Sequence, residues 1–125
     1  IRFYRAEVDK HSDDYQAWFN LSQIYANRAD HAAALEPLRQ AIRAKPDFAV
    51  GYLYLGRSLV GINDPALYGQ AMEAARHGLE LGPPPEMRAL GHYVLADVYN
   101  RLGRTEAAQR ELSKAKAADR GASRR

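Results

Sequence analysis

The chain has 125 residues, 46% hydrophobic and 26% charged, which is one small domain of ordinary globular composition and not that of a disordered segment. Its net charge of +3, with 14 Arg and 4 Lys against 15 acidic residues, is too small and too dispersed to point to nucleic acid. No apolar run reaches membrane-spanning length, and the absence of cysteine excludes disulfides, thiolate metal sites and cysteine nucleophiles, without fixing the compartment.

Residues 1–14 read as the second helix of a preceding unit, because Val8 stands ten residues before Trp18 just as Ile42 stands ten before Tyr52. A helix over 14–28 has Asp13 or Asp14 as its cap, and one over 31–45 has Asp30. Pro37 falls inside that second helix, where it removes a backbone hydrogen bond, so a kink is expected; Pro46 ends it. A helix over 48–61 follows, and Asp64 with Pro65 gives a cap and a first-turn proline for the next, 65–81. Pro83 stops that helix, Pro85 and Glu86 open 86–102, and Thr105 with Glu106 opens 105–118, before a basic tail at 123–125.

The chain repeats itself. Trp18, Leu21, Ser22 and Tyr25 recur 34 residues on as Tyr52, Leu55, Gly56 and Leu59, and 40 further on as His92, Leu95, Ala96 and Tyr99. The surplus of six divides between the turn at 61–65 and the proline-rich run at 82–87, both tolerant of length change. Three positions per unit hold only small residues: Ser22, Ala34 and Ala41; Gly56, Ala71 and Gly78; Ala96, Ala108 and Ala115. Small side chains at fixed spacing let two helix backbones approach closely. With Pro46 and Pro83 closing two of the units, this pattern resembles the tetratricopeptide repeat, a 34-residue helix–turn–helix unit. The resemblance implies an all-α solenoid, a right-handed superhelix, of three units at 15–48, 49–85 and 86–122, the second carrying a three-residue turn insertion.

No catalytic constellation emerges. His11, His31, His77 and His92 show no metal-ligand spacing, and His92 takes the packing position of Trp18 and Tyr52. Asp13 and Asp14 read as helix caps, and Gly51, Gly56 and Gly61 are dispersed through a helix, forming no phosphate-cradling loop. The basic tail, with Lys114, Lys116 and Arg120 before it, reads as a solvated helix end. The expectation is a non-enzyme with no cofactor or metal, no nucleic-acid partner and no membrane insertion.

The resemblance also implies a concave wall drawn from the first helix of each unit. Its members here are Gln16, Phe19, Gln23 and Asn27; Leu53 and Arg57; Tyr93, Asp97, Asn100 and Arg101. The lysines and asparagines with which some family members grip a peptide's terminal carboxylate have no match at Phe19, Gln23, Tyr54, Leu90 or Val94, which disfavours that type of chaperone-tail receptor. A strip of Phe19, Leu53 and Tyr93 ringed by polar groups and Arg is the composition of a binding hot spot, so a protein or peptide partner is expected in this groove. The alternatives are a self-association or spacer module, or an accessory C-terminal domain of a larger, possibly enzymatic chain; the Arg- and Ala-rich usage is that of a high-GC bacterial source. Because Ile1 is not an initiator methionine, the chain is expected to be a piece of a longer protein, and Phe3, Tyr4 and Val8 are expected to pair copies of it through the N-terminal end.

Overall fold

The computed structural model describes residues 14–123, all in helices and short turns, with no β-strand among them. In chain order the helices are α1 (Tyr15–Asn27), α2 (His31–Ala44), α3 (Ala49–Gly61), α4 (Tyr68–Glu80), α5 (Pro85–Arg101) and α6 (Thr105–Ser123), with a 3-10 turn at Pro65–Leu67. They pack as three consecutive helix pairs, α1 with α2, α3 with α4 and α5 with α6, and each pair leans on the next. The helix proposed over 1–14 and the N-terminal pairing surface lie outside the described residues.

The boundaries follow local chemistry. The Asp14 carboxylate accepts from the Gln16 and Ala17 N–H groups at 3.1 and 3.2 Å, and Asp30 accepts from the Ala33 N–H at 3.2 Å. Both satisfy donors that a helix start leaves free. Asp64 accepts from the Ala66 N–H at 3.0 Å, but what it opens differs from the expected helix over 65–81. The Leu67 and Tyr68 N–H groups bond back three residues, to Asp64 and Pro65, so the inserted segment winds as a 3-10 turn before the α-helix begins at Tyr68. The last helix continues past the expected 118 to Ser123, because Arg120 stands where Pro46 and Pro83 end the earlier second helices. Pro37 sits fully buried within an unbroken α2.

All nine small-residue positions are buried. A Cβ added at Gly56 would lie 3.0 Å from the Ala71 carbonyl oxygen, and one at Gly78 3.0 Å from that of Ala49. The backbones of α3 and α4 therefore meet with no room between them for a methyl group. Around these contacts, Trp18, Leu21 and Ala41 form the core of the first pair, while Leu59, Val60, Tyr68, Val94, Leu95 and Val98 fill the space between the second and third.

Two helix ends turn through the left-handed region without glycine, at Ala29 (φ 60°) and Asn63 (φ 64°). Asparagine tolerates that conformation, whereas alanine is strained there by about 1–2 kcal/mol. Ala29→Gly is therefore expected to raise stability by about 0.5–1 kcal/mol despite the freedom it adds to the unfolded chain. Gly78→Ala is expected to lower it by about 1–2 kcal/mol, because overpacking exceeds the gain in helix propensity. Urea unfolding of both variants reads the two opposite signs.

Candidate functional site

Most of the residues expected to line the first helices are accessible to solvent. From α1, Gln16 and Asn27 are exposed and Phe19 and Gln23 half-buried; from α3, Arg57 is exposed; from α5, Tyr93, Asp97, Asn100 and Arg101 are exposed. Leu53 departs from expectation. It is fully buried, with its Cδ2 2.8 Å from where a Gly78 Cβ would stand and 3.0 Å from where a Gly91 Cβ would stand. Two missing side chains leave a slot that draws the leucine into the core, so the strip of Phe19, Leu53 and Tyr93 is interrupted at its middle.

Aromatic rings occupy that stretch instead. Phe48 meets Tyr15 at 4.9 Å and Phe19 at 5.4 Å between centroids, and Phe19 meets Tyr54 at 5.3 Å, all edge to face. The Arg57 guanidinium stands 5.7 Å from the centre of the Tyr54 ring. Sequence reasoning missed Phe48, and it considered Tyr54 solely as a position that a terminal-carboxylate clamp would fill with asparagine. The one available signal for Phe48 was the density of aromatics at Phe48, Tyr52 and Tyr54, with Phe48 just ahead of its helix.

Beyond this row, Arg57, Tyr93 and Asp97 converge on a cleft of ≈160 Å³ floored by Val60, Leu90 and Val94. Tyr93 is 40% exposed, and its hydroxyl donates to Asp119 Oδ2 at 3.0 Å on the extended α6. Accepting from that hydroxyl, the carboxylate pushes the phenol above its usual range, and burial and the negative charge add to the effect. Arg101 is committed to the fold: Nε donates to Asp97 Oδ1 at 2.8 Å, and Nη1 donates to Asn63 Oδ1 at 2.7 Å and to the Tyr68 hydroxyl at 3.3 Å. The bonds to Tyr68 and Asp97 raise its pKa above the ordinary guanidinium value.

His92 is also accounted for. Its Nδ1 lies 3.0 Å from Glu111 Oε1, and Lys114 Nζ donates to Oε2 of the same carboxylate at 3.0 Å. Tyr52, its counterpart one unit earlier, packs edge to face on His77 at 4.4 Å. His31 lays its ring on Gly61, where a Cβ would come within 2.4 Å of it. No three His, Asp or Glu side chains among the described residues converge as metal ligands would, and no helix there is long and apolar enough to cross a membrane.

A larger cavity, ≈580 Å³, lies on the opposite face, between α2 and α4 with Tyr52, Leu55 and Leu59 of α3 beneath. Its rim charges offset one another: Arg39 and Arg76 face Glu73 and Glu80. Arg76 is already bonded to the Tyr99 hydroxyl at 2.8 Å, and Glu80 is 4.0 Å from His77.

Burial pushes the Glu111 carboxyl up, but the hydrogen bonds from His92 and Lys114 outweigh it and hold the group below the ordinary glutamate range. A carboxyl depressed in the folded state stabilises fully above its unfolded value of about 4.3, and loses that contribution as pH falls toward the folded value. Urea midpoints should therefore drop as pH goes below about 4.5. Glu111→Gln should flatten that acid limb, and it should lower stability near neutral pH by about 1–2 kcal/mol.

A scan against family models matches the tetratricopeptide repeat at residues 15–48 and 90–121, together more than half of the chain. No curated protein matches the sequence significantly. Among solved structures, one described as MamA MSR-1 C2 superposes with a TM-score of 0.77 at 20% identity, over 97% of this chain and 66% of that one. At that identity the likeness speaks for the fold, and the chain spans about two thirds of that structure's length. With the family model on two of the three helix pairs and buried small residues in all three, the chain belongs to the tetratricopeptide-repeat family.

Proposed function

We propose that this chain is a non-catalytic module that binds a peptide or helix of a protein partner along the face bearing Arg57 and Tyr93. Tetratricopeptide-repeat solenoids serve generally as protein–protein interaction scaffolds, with extended concave surfaces built by stacking. The observation that carries the finer reading is the cleft where Arg57, Tyr93 and Asp97, from two successive first helices, surround an apolar floor. Among the described residues Tyr93 is one of two large hydrophobic side chains left exposed, the other being Leu102 in a turn. Its bond to Asp119 orients the ring in advance, which lowers the entropic cost of using it as an anchor.

The opposite cavity is larger but neutral at its rim, with several of its charged groups already engaged within the fold. Nucleic acid is a poor fit to the groove, because Asp97 neutralises Arg101 there and leaves Arg57 as one cation, whereas a phosphate backbone draws on many.

Tyr93→Ala is expected to weaken a natural partner by tenfold or more, in the range of a hot-spot truncation of about 2 kcal/mol, with the helical circular dichroism signal unchanged. Phe19→Ala should weaken it too, and should also cost stability, since that ring packs on Phe48 and Tyr54. The check is affinity capture from source cells, followed by titration of each captured protein against native and substituted chains. Equal affinities for native and Tyr93→Ala protein would remove the groove as the binding site.

A further inference from the structure

Among the described residues Arg57, Asp97 and Arg101 carry charge on the groove face, with Asp119 beside them already accepting from the Tyr93 hydroxyl at 3.0 Å, and their pairing is selective. Asp97 lines the same cleft as Arg57 and is its natural counter-ion, yet among the described residues no carboxylate lies within 4.0 Å of Arg57. Asp97 is instead held by Arg101 Nε at 2.8 Å. Arg101 has little freedom to swing away. It bonds to Asn63 in the turn after α3 and to the hydroxyl of Tyr68, and its guanidinium sits 5.8 Å from the centre of that buried ring. Arg57, meanwhile, rests over Tyr54, a contact that orients a guanidinium without neutralising it.

We propose that the groove selects a peptide carrying an Asp or Glu side chain, whose carboxylate Arg57 receives, and that Arg101 is a positioning residue that keeps Asp97 from occupying Arg57 in its place. The proposal rests on the groove reading above. Val60, Leu90 and Val94 give the cleft a floor for one apolar side chain of the same peptide, beside the acid. The acid belongs to the middle of the segment and not to its end, because aromatic rings lie on both sides of Arg57: Tyr54, packed on Phe19 of α1, and Tyr93 of α5 across the cleft. A guanidinium with its donors free matches a carboxylate in a two-bond fork, which gives direction as well as attraction.

The test uses a bead-displayed library of random decapeptides with amidated C-termini, so that carboxylates come from side chains alone, selected against the folded chain and titrated by fluorescence anisotropy. The expected peptides place Asp or Glu next to an aliphatic or aromatic residue. Replacing that Glu by Gln, or Arg57→Gln in the protein, should each cost tenfold or more in affinity. Arg101→Ala should also weaken binding, because Asp97 is then free to pair with Arg57, and adding Asp97→Ala should restore it. A merely structural role for Arg101 would show no such rescue, and that outcome overturns the positioning claim. Selected peptides that lack an acid, or that ignore Arg57→Gln, overturn the acidic specificity while leaving the groove as a binding site. If no selected peptide loses affinity for Tyr93→Ala protein, the groove reading falls and this proposal falls with it.

Discussion

The structure depends on how closely the two helices of each pair approach. At Gly56 and Gly78 the backbones of α3 and α4 leave less space than one methyl group needs, and every equivalent position in the other pairs is a buried Ser or Ala. Close approach at these positions fixes the tilt within a pair, and repetition of the pair carries that geometry along the chain. Each first helix then has one face packed into its pair and other faces left accessible. The proposed groove would be the sum of those leftover faces, shaped by residues buried between the helices.

The same constraint decides which groove residues are accessible. Gly78 and Gly91 create the slot that takes Leu53 out of the surface, while Tyr93, at the same repeat position one unit later, remains exposed and tied to Asp119. Polar ties then differ along the solenoid. The seam between the second and third pairs is bridged on one side by Arg101 to Asn63 and Tyr68, and on the other by Arg76 to Tyr99. The first pair meets the second through the edge-to-face contacts of Phe19 with Phe48 and Tyr54.

Much of the fold was readable in the sequence because the signals were local. Asp14, Asp30 and Asp64 cap as their positions implied, and the small-residue rows located the helix pairs. The 3-10 turn at Pro65–Leu67 was not readable, since a cap followed by proline opens either kind of helix. The site was readable only in part. Repeat position places Arg57, Tyr93 and Asp97 on one face, but burial of Leu53 depends on glycines 25 and 38 residues away, and the engagement of Arg101 depends on a turn in the preceding unit. Long-range partners of this kind leave no periodic trace. The pairing of His92 with Glu111 is similar, since the repeat marks the histidine's position and not the chemistry that meets it.

The central claim is that the face presenting Arg57 and Tyr93 binds ligand, while the larger cavity over Tyr52 and Leu55 does not. Side-chain NMR during titration with a selected decapeptide tests it most directly, because Arg57, Tyr93 and Val60 report from one face and Tyr52, His77 and Leu55 from the other. Saturable shifts are expected at Arg57 Nε, the Tyr93 ring and the Val60 methyls, with Tyr52 and His77 unmoved. Shifts confined to Tyr52, Leu55 and His77 would contradict it.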